Sequence, residues 1–143
     1  MMNDPRPVYV NNEQTEVETW PFDIRDVTLK TIDHLQLSVT LIDITLLSTT
    51  AIQAMNQTYF NVNTPTDTIS FNLTPDAPIT GDVYLCPYVI KKNAQTYNAS
   101  FSDEFKTVII HSVLHLMGMN DDTNDAFLAM KKKQDHILSV LQS

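Results

Sequence analysis

Cysteine is nearly missing from this sequence. Cys86 stands alone among 143 residues, which excludes an internal disulfide and any cysteine-rich zinc site, because both need partners it does not have. Its expected place is the core, as a small buried side chain. Basic charge is scarce as well: nine Lys and Arg against 17 Asp and Glu leave a net charge of −8. That balance works against non-specific nucleic-acid binding, which rests on cations neutralising phosphates, so any RNA contact has to be local and DNA is not expected as a partner. Long apolar runs are absent too. The longest uncharged stretch, Ile44 to Thr66, carries Thr, Asn and Gln throughout and falls short of the ~18 apolar residues a membrane span needs. The first 20 residues form a polar N-terminal segment without the basic start or apolar run of a secretory signal, so a cytoplasmic location is expected. With no repeat, linker or low-complexity tract, residues 1–143 read as one domain, a length that can close a core without staples.

What is present has clear periodicity. Val8 to Val10 suggests an edge strand. Asp23 can cap a helix whose apolar positions Ile24, Val27, Leu29, Ile32 and Leu35 approximate a 3.6-residue period. Leu37, Val39 and Leu41 alternate with Ser38 and Thr40, which predicts a half-buried strand. Ile52, Met55 and Tyr59 suggest a second helix after a Ser/Thr cluster. Two further strands are expected between Thr66 and Leu73 and from Gly81 to Cys86, joined by a loop containing Pro75 and Pro78. Pro87 can open a short helix, and Ser100 or Ser102 can cap a longer one running to about Met117 and stopped by Gly118. A last helix, roughly Asp125 to Leu141, is expected to bury Phe127, Met130, Ile137, Leu138 and Leu141. The pattern gives an α+β domain with about four strands and about five helices.

The informative segment is His111-Ser-Val-Leu-His115-Leu-Met-Gly118-Met-Asn-Asp121. Residues four apart on a helix share one face, with β-carbons roughly 5–6 Å apart, so two imidazole nitrogens can address one ion. Gly118, one of two glycines in the chain, then lets the backbone reverse and return Asp121 over that face. Two imidazoles and a carboxylate leave room for water, as in a catalytic zinc site, and the ion can bring that water's pKa to about 7. Hydrolysis is the implied chemistry. The extended zinc-protease signature has His, His and Gly at the same spacing but requires Glu after the first histidine. Here that residue is Ser112, which has no accessible basic form, so a peptidase would lack its general base.

The segment resembles the signature of the YbeY endoribonuclease family, H-x-x-x-H-x-x-G-x-D-H. Upstream, Met55-Asn-Gln-Thr-Tyr59, Pro65-Thr-Asp67-Thr-Ile-Ser70-Phe71 and Gly81-Asp82-Val-Tyr-Leu-Cys-Pro87 resemble the family's L-N-x-x-Y, P-T-[ND]-V-L-S-F and G-D-I-x-I-x-P segments, in the same order. The resemblance implies a small mixed sheet packed by helices, with the histidines on a central helix. It also implies a zinc-dependent, single-strand-specific endoribonuclease acting on ribosomal RNA, at the 3′ end of the small-subunit RNA, and in ribosome quality control.

Two departures from the family pattern bear on mechanism. Asp121 stands where the family has a third histidine, so the metal set becomes His111, His115 and Asp121; carboxylate is an accepted zinc ligand, and manganese or nickel also suits such a mixed site. Asp122 is the alternative carboxylate. Phe60 stands where many relatives carry an arginine, and it cannot pair with a phosphate. By chain order, Lys91 and Lys92 are the nearest substitute cations and the candidate substrate-binding residues. Lys131, Lys132 and Lys133 read as a solvated face, His34 and His136 as helix-surface residues, and Trp20 as a core anchor. A metallopeptidase-like hydrolase and a non-catalytic ribosome-associated factor stabilised by metal remain the competing readings. The general acid and base are not assigned by the sequence.

Overall fold

Four of the helices start where a side-chain oxygen can accept a hydrogen bond from an otherwise unpaired backbone N–H. Asp23, Ser48, Ser100 and Thr123 accept from the amides of Asp26, Ala51, Asp103 and Ala126, each satisfying a first-turn donor. Of the two serines available to the long helix, Ser100 is the cap. The fifth start relies on Pro87, whose missing N–H needs no partner there. The structure, a computed structural model, describes residues 4–74 and 76–142. Pro75, one of the expected turn formers, lies outside these residues.

Among the described residues the elements run β1 (Val8–Asn12), α1 (Ile24–Leu35), β2 (Val39–Leu46), α2 (Thr49–Phe60), β3 (Thr68–Asn72), β4 (Ile79–Leu85), α3 (Pro87–Thr96), α4 (Phe101–Leu116) and α5 (Asn124–Leu141). The sheet order is β1-β2-β4-β3, with β1, β2 and β4 parallel and β3 antiparallel to β4. This is the four-stranded α+β architecture the pattern predicts, with the mixed sheet that the family resemblance implies, and β1 is the edge strand expected near Val8.

One expectation fails at β2 for an instructive reason. Alternation from Leu37 to Leu41 places odd-numbered residues inward, yet the fully buried ones are Ile42, Ile44 and Leu46. Pairing with β4 is irregular between Val39 and Leu41, and this one-residue bulge switches the parity of the inward face. A second correction concerns Phe127, expected in the core but 49% exposed, whereas Met130 and Ile137 are buried as anticipated. Trp20 does anchor the core, packing on Phe105 with ring centroids 5.7 Å apart. Cys86 is fully buried.

Three stripes on α4 explain how the site is positioned. Phe105, Val108, Ile109, Val113 and Leu116 enter the main core under the sheet, while Ile110 and Leu114 pack with Met130 and Ile137 of α5. The i,i+4 stripe between these faces is His111 and His115, both half-buried. Close approach of β4 to the end of α4 depends on Gly81: a β-carbon there would lie 2.7 Å from Leu116 Cδ2.

Candidate metal centre

The two imidazoles meet edge to face, with ring centroids 4.4 Å apart and their Nε2 atoms 2.9 Å apart. After α4 the chain turns at Gly118, which adopts φ +99°, a conformation that favours glycine. The Gly118 and Met119 amides donate to the carbonyls of His115 and Leu114, closing the end of the helix. The reversal brings Asp121 Oδ2 to 3.9 Å from His111 Nε2. Ligand atoms of His111, His115 and Asp121 all lie within 4.8 Å of one another, so the three side chains singled out by spacing do converge. Asp122 is not part of that cluster; its amide donates to Asn120 Oδ1.

Hydrogen bonding on the far side of each ring decides what the near side can do. His115 Nδ1 lies 3.0 Å from the Met119 carbonyl, which can only accept, so Nδ1 carries the hydrogen and Nε2 presents a lone pair. His111 Nδ1 lies 2.9 Å from Gln134 Oε1 on α5, which fixes the same tautomer. Burial, reinforced by neighbouring His111, lowers the His115 pKa below its ordinary value, with Asp121 acting in the opposite direction. The ring therefore favours its neutral form. Two neutral lone pairs facing each other beside a carboxylate repel unless a cation lies among them, and this is the test by which the donor set fits a divalent ion. Bonds of about 2.0–2.2 Å in a tetrahedral site imply ligand atoms roughly 3.3–3.6 Å apart, between the 2.9 Å of the two imidazoles and the 3.9 Å of His111 to Asp121, within a trio spanning no more than 4.8 Å.

The cleft in front of the trio measures about 450 Å³ and is bordered by Asn56, Phe60, residues 66–70 and the three candidate ligands. Ser70 Oγ is buried there without a hydrogen-bond partner among the described residues. Ser112, at the protease glutamate position, is turned away: it is 1% exposed, donates to the Val108 carbonyl at 2.8 Å and bonds the Thr68 hydroxyl at 2.9 Å. Phe60 borders the cleft while 52% exposed, and stacks nearly parallel on Phe71.

Lys91 and Lys92 are not brought to the trio. They border a separate recess with Glu16, Val17, Tyr88 and Gln95, and their ammonium groups lie 6.0 Å from the centre of the Phe101 ring and 5.7 Å from that of Tyr88. Exposed His34 and His136 sit beside each other on α1 and α5, away from the cleft, with ring centroids 5.7 Å apart. Sequence reasoning missed Gln134 and the Met119 carbonyl. Gln134 lies 23 residues from His111, too far for any spacing rule, although its place between inward-facing Met130 and Ile137 marks the same face of α5.

Residues 9–142 match the family model described as Endoribonuclease YbeY. A protein named Endoribonuclease YbeY from Chlorobium chlorochromatii is 41% identical over 91 residues, covering 64% of this chain and 58% of that protein. One of the same name from Chlorobaculum parvum is 35% identical over 91 residues, with 64% of each covered. The matched stretch thus spans less than two thirds of these relatives' length. A Thermotoga maritima protein solved in solution superposes with TM-score 0.60 at 23% identity, covering 94% of this chain and 91% of that one; it shares the fold.

Proposed function

Because the chain belongs to the YbeY endoribonuclease family, we propose that it cleaves single-stranded RNA with one divalent ion, zinc foremost, held by His111, His115 and Asp121. The observation that carries this reading is the pair of imidazole Nε2 atoms 2.9 Å apart beside a carboxylate at the floor of an open cleft. A divalent ion in that set supplies Lewis-acid polarisation of a phosphoryl oxygen and acidification of water. His111 and His115 bind it as neutral donors, Gln134 and the Met119 carbonyl hold both rings in the required tautomer, and Asp121 contributes negative charge. Residues 66–70 line the cleft as a wall for an extended strand. Phe60 has no charge to offer phosphate; its exposed ring suits a base.

In the cell, this reading assigns the protein to maturation of ribosomal RNA, at the 3′ end of the small-subunit RNA, and to ribosome quality control in the cytoplasm. The family likeness supports that assignment. The peptidase alternative lacks a base where its signature needs one, since the Ser112 hydroxyl is committed to Val108 and Thr68.

The decisive experiment pairs elemental analysis of the purified protein with that of His115→Ala, followed by cleavage of a single-stranded RNA with and without chelator. One ion per chain, lost in the variant together with cleavage while the circular dichroism spectrum persists, is the expected outcome. Undiminished metal-dependent cleavage by His115→Ala would refute the assignment, and a folded, metal-loaded wild type with no turnover would favour a non-catalytic ribosome factor.

A further inference from the structure

His111 is a shared wall. Behind it, away from His115, a second groove of about 520 Å³ opens between the end of α3, the middle of α4 and the first half of α5. Asp67, like His111, borders this groove and the metal-facing cleft alike, so the two adjoin and a strand leaving the trio can reach it. The volume falls in the range of small-ligand sites.

Two aromatic rings that the core does not use line it. Tyr97, immediately after α3, is 64% exposed, and Phe127, in the first turn of α5, is 49% exposed. The remaining chemistry is acidic: Asp67, Glu104 and Asp135 face the groove with a single cation, Lys131, which is already paired with Asp135 at 3.2 Å. Such a lining repels phosphate. It suits a flat ring with N–H donors on its edge. Glu104 makes no side-chain hydrogen bond among the described residues, so both its oxygens can accept.

We propose that this groove is a nucleobase subsite, in which a base next to the scissile phosphate stacks on Tyr97 and Phe127 and presents its pairing edge to Glu104. The inference rests on the ribonuclease reading of the adjoining cleft. Exposed bases of single strands are held in this way, by aromatic stacking with hydrogen bonds to the pairing edge. Guanine fits best, since its N1–H and N2–H groups lie side by side and match the two oxygens of a carboxylate. Uracil fits worst, because its one N–H is flanked by carbonyl oxygens that the carboxylate repels.

The test uses the full chain and a short uridine strand carrying one guanosine or, as a fluorescent probe of stacking, one 2-aminopurine. With chelator present to keep the strand intact, binding should quench the probe, and Tyr97→Ala and Phe127→Ala should each weaken binding by roughly tenfold. With metal restored, wild type should cut at a fixed offset from the guanosine, and Glu104→Gln should lose that preference while its metal content, measured by elemental analysis, is unchanged. Retention of aromatic stacking by Phe127→Trp should restore the quench. A strand that is bound and cut normally, with no quench and no dependence on guanosine position, would overturn the subsite and leave the ribonuclease reading standing. Quenched, guanine-dependent binding with no cleavage under any metal would do the reverse, and failure to bind any strand would remove both.

Discussion

The close contact between β4 and α4 makes Gly81→Ala a sharp test of how the sheet positions the candidate ligands. A β-carbon added at Gly81 would lie 2.7 Å from Cδ2, 2.9 Å from Cδ1 and 3.3 Å from Cγ of Leu116, where carbon atoms prefer about 3.5–4.0 Å. Leu116 is fully buried at the end of α4 and cannot swing into solvent. Overpacking by a methyl group costs about 1–3 kcal/mol, and loss of glycine's freedom in the unfolded chain offsets about 0.4–1 kcal/mol of that. The net expectation is a destabilisation of about 1–2 kcal/mol, or a melting temperature lower by roughly 3–7 °C at this chain length. The displaced residue adjoins His115, so metal affinity should fall in parallel. Thermal melts and metal titrations of Gly81→Ala, Leu116→Ala and the double variant check the argument. If the clash is real, the double variant is more stable than the two single penalties add up to. A Gly81→Ala protein that melts at or above the wild type, or strictly additive penalties, would show that the sheet and helix are not in contact as described.

Other consequences are equally open to measurement. Gln134→Leu removes the acceptor that fixes the His111 ring and should weaken metal binding about 10–100-fold, with Gln134→Glu restoring it; equal affinity in the leucine variant would dismiss the tautomer argument. Asp4, bonded to the Arg6 guanidinium, has a pKa lowered to about 2. A depressed carboxylate stabilises the fold above its unfolded value near 3.9 and loses that contribution as pH falls through 2. Arg6→Ala should therefore be less stable at neutral pH, converge with wild type in acid, and show a smaller deficit in high salt because both groups are only partly buried; urea titrations across pH would reveal a persistent acid gap if this is wrong. Ser70→Ala deletes a buried hydroxyl that has no partner among the described residues, so its melting temperature should hold or rise. A melting temperature several degrees lower would mean that the hydroxyl supports the fold.

Much of the fold was legible because it is written in local patterns. The caps at Asp23 and Ser100, the helix start at Pro87, the stop at Gly118 and the i,i+4 histidines each depend on neighbours within a turn or two. What escaped depends on contacts between distant segments. The bulge between Val39 and Leu41 is imposed by pairing with β4, so strict alternation through Leu41 reads the wrong parity beyond it. Phe127 has the spacing of a core residue, yet the first turn of α5 overhangs the groove behind His111 rather than the core. Lys91 and Lys92 are near the site along the chain but on a helix that carries them to another recess. Gln134 carries no motif at all, and only the packing of α5 on α4 shows what it touches.

All three candidate ligands come from eleven consecutive residues, but the two acceptors that hold the rings do not share an origin: one is a backbone carbonyl of the same stretch, the other belongs to α5. Grafting residues 111–121 onto a foreign helix would transplant one ring already locked and leave the other spinning. A transplant meant to bind its ion tightly has to bring a second helix with it.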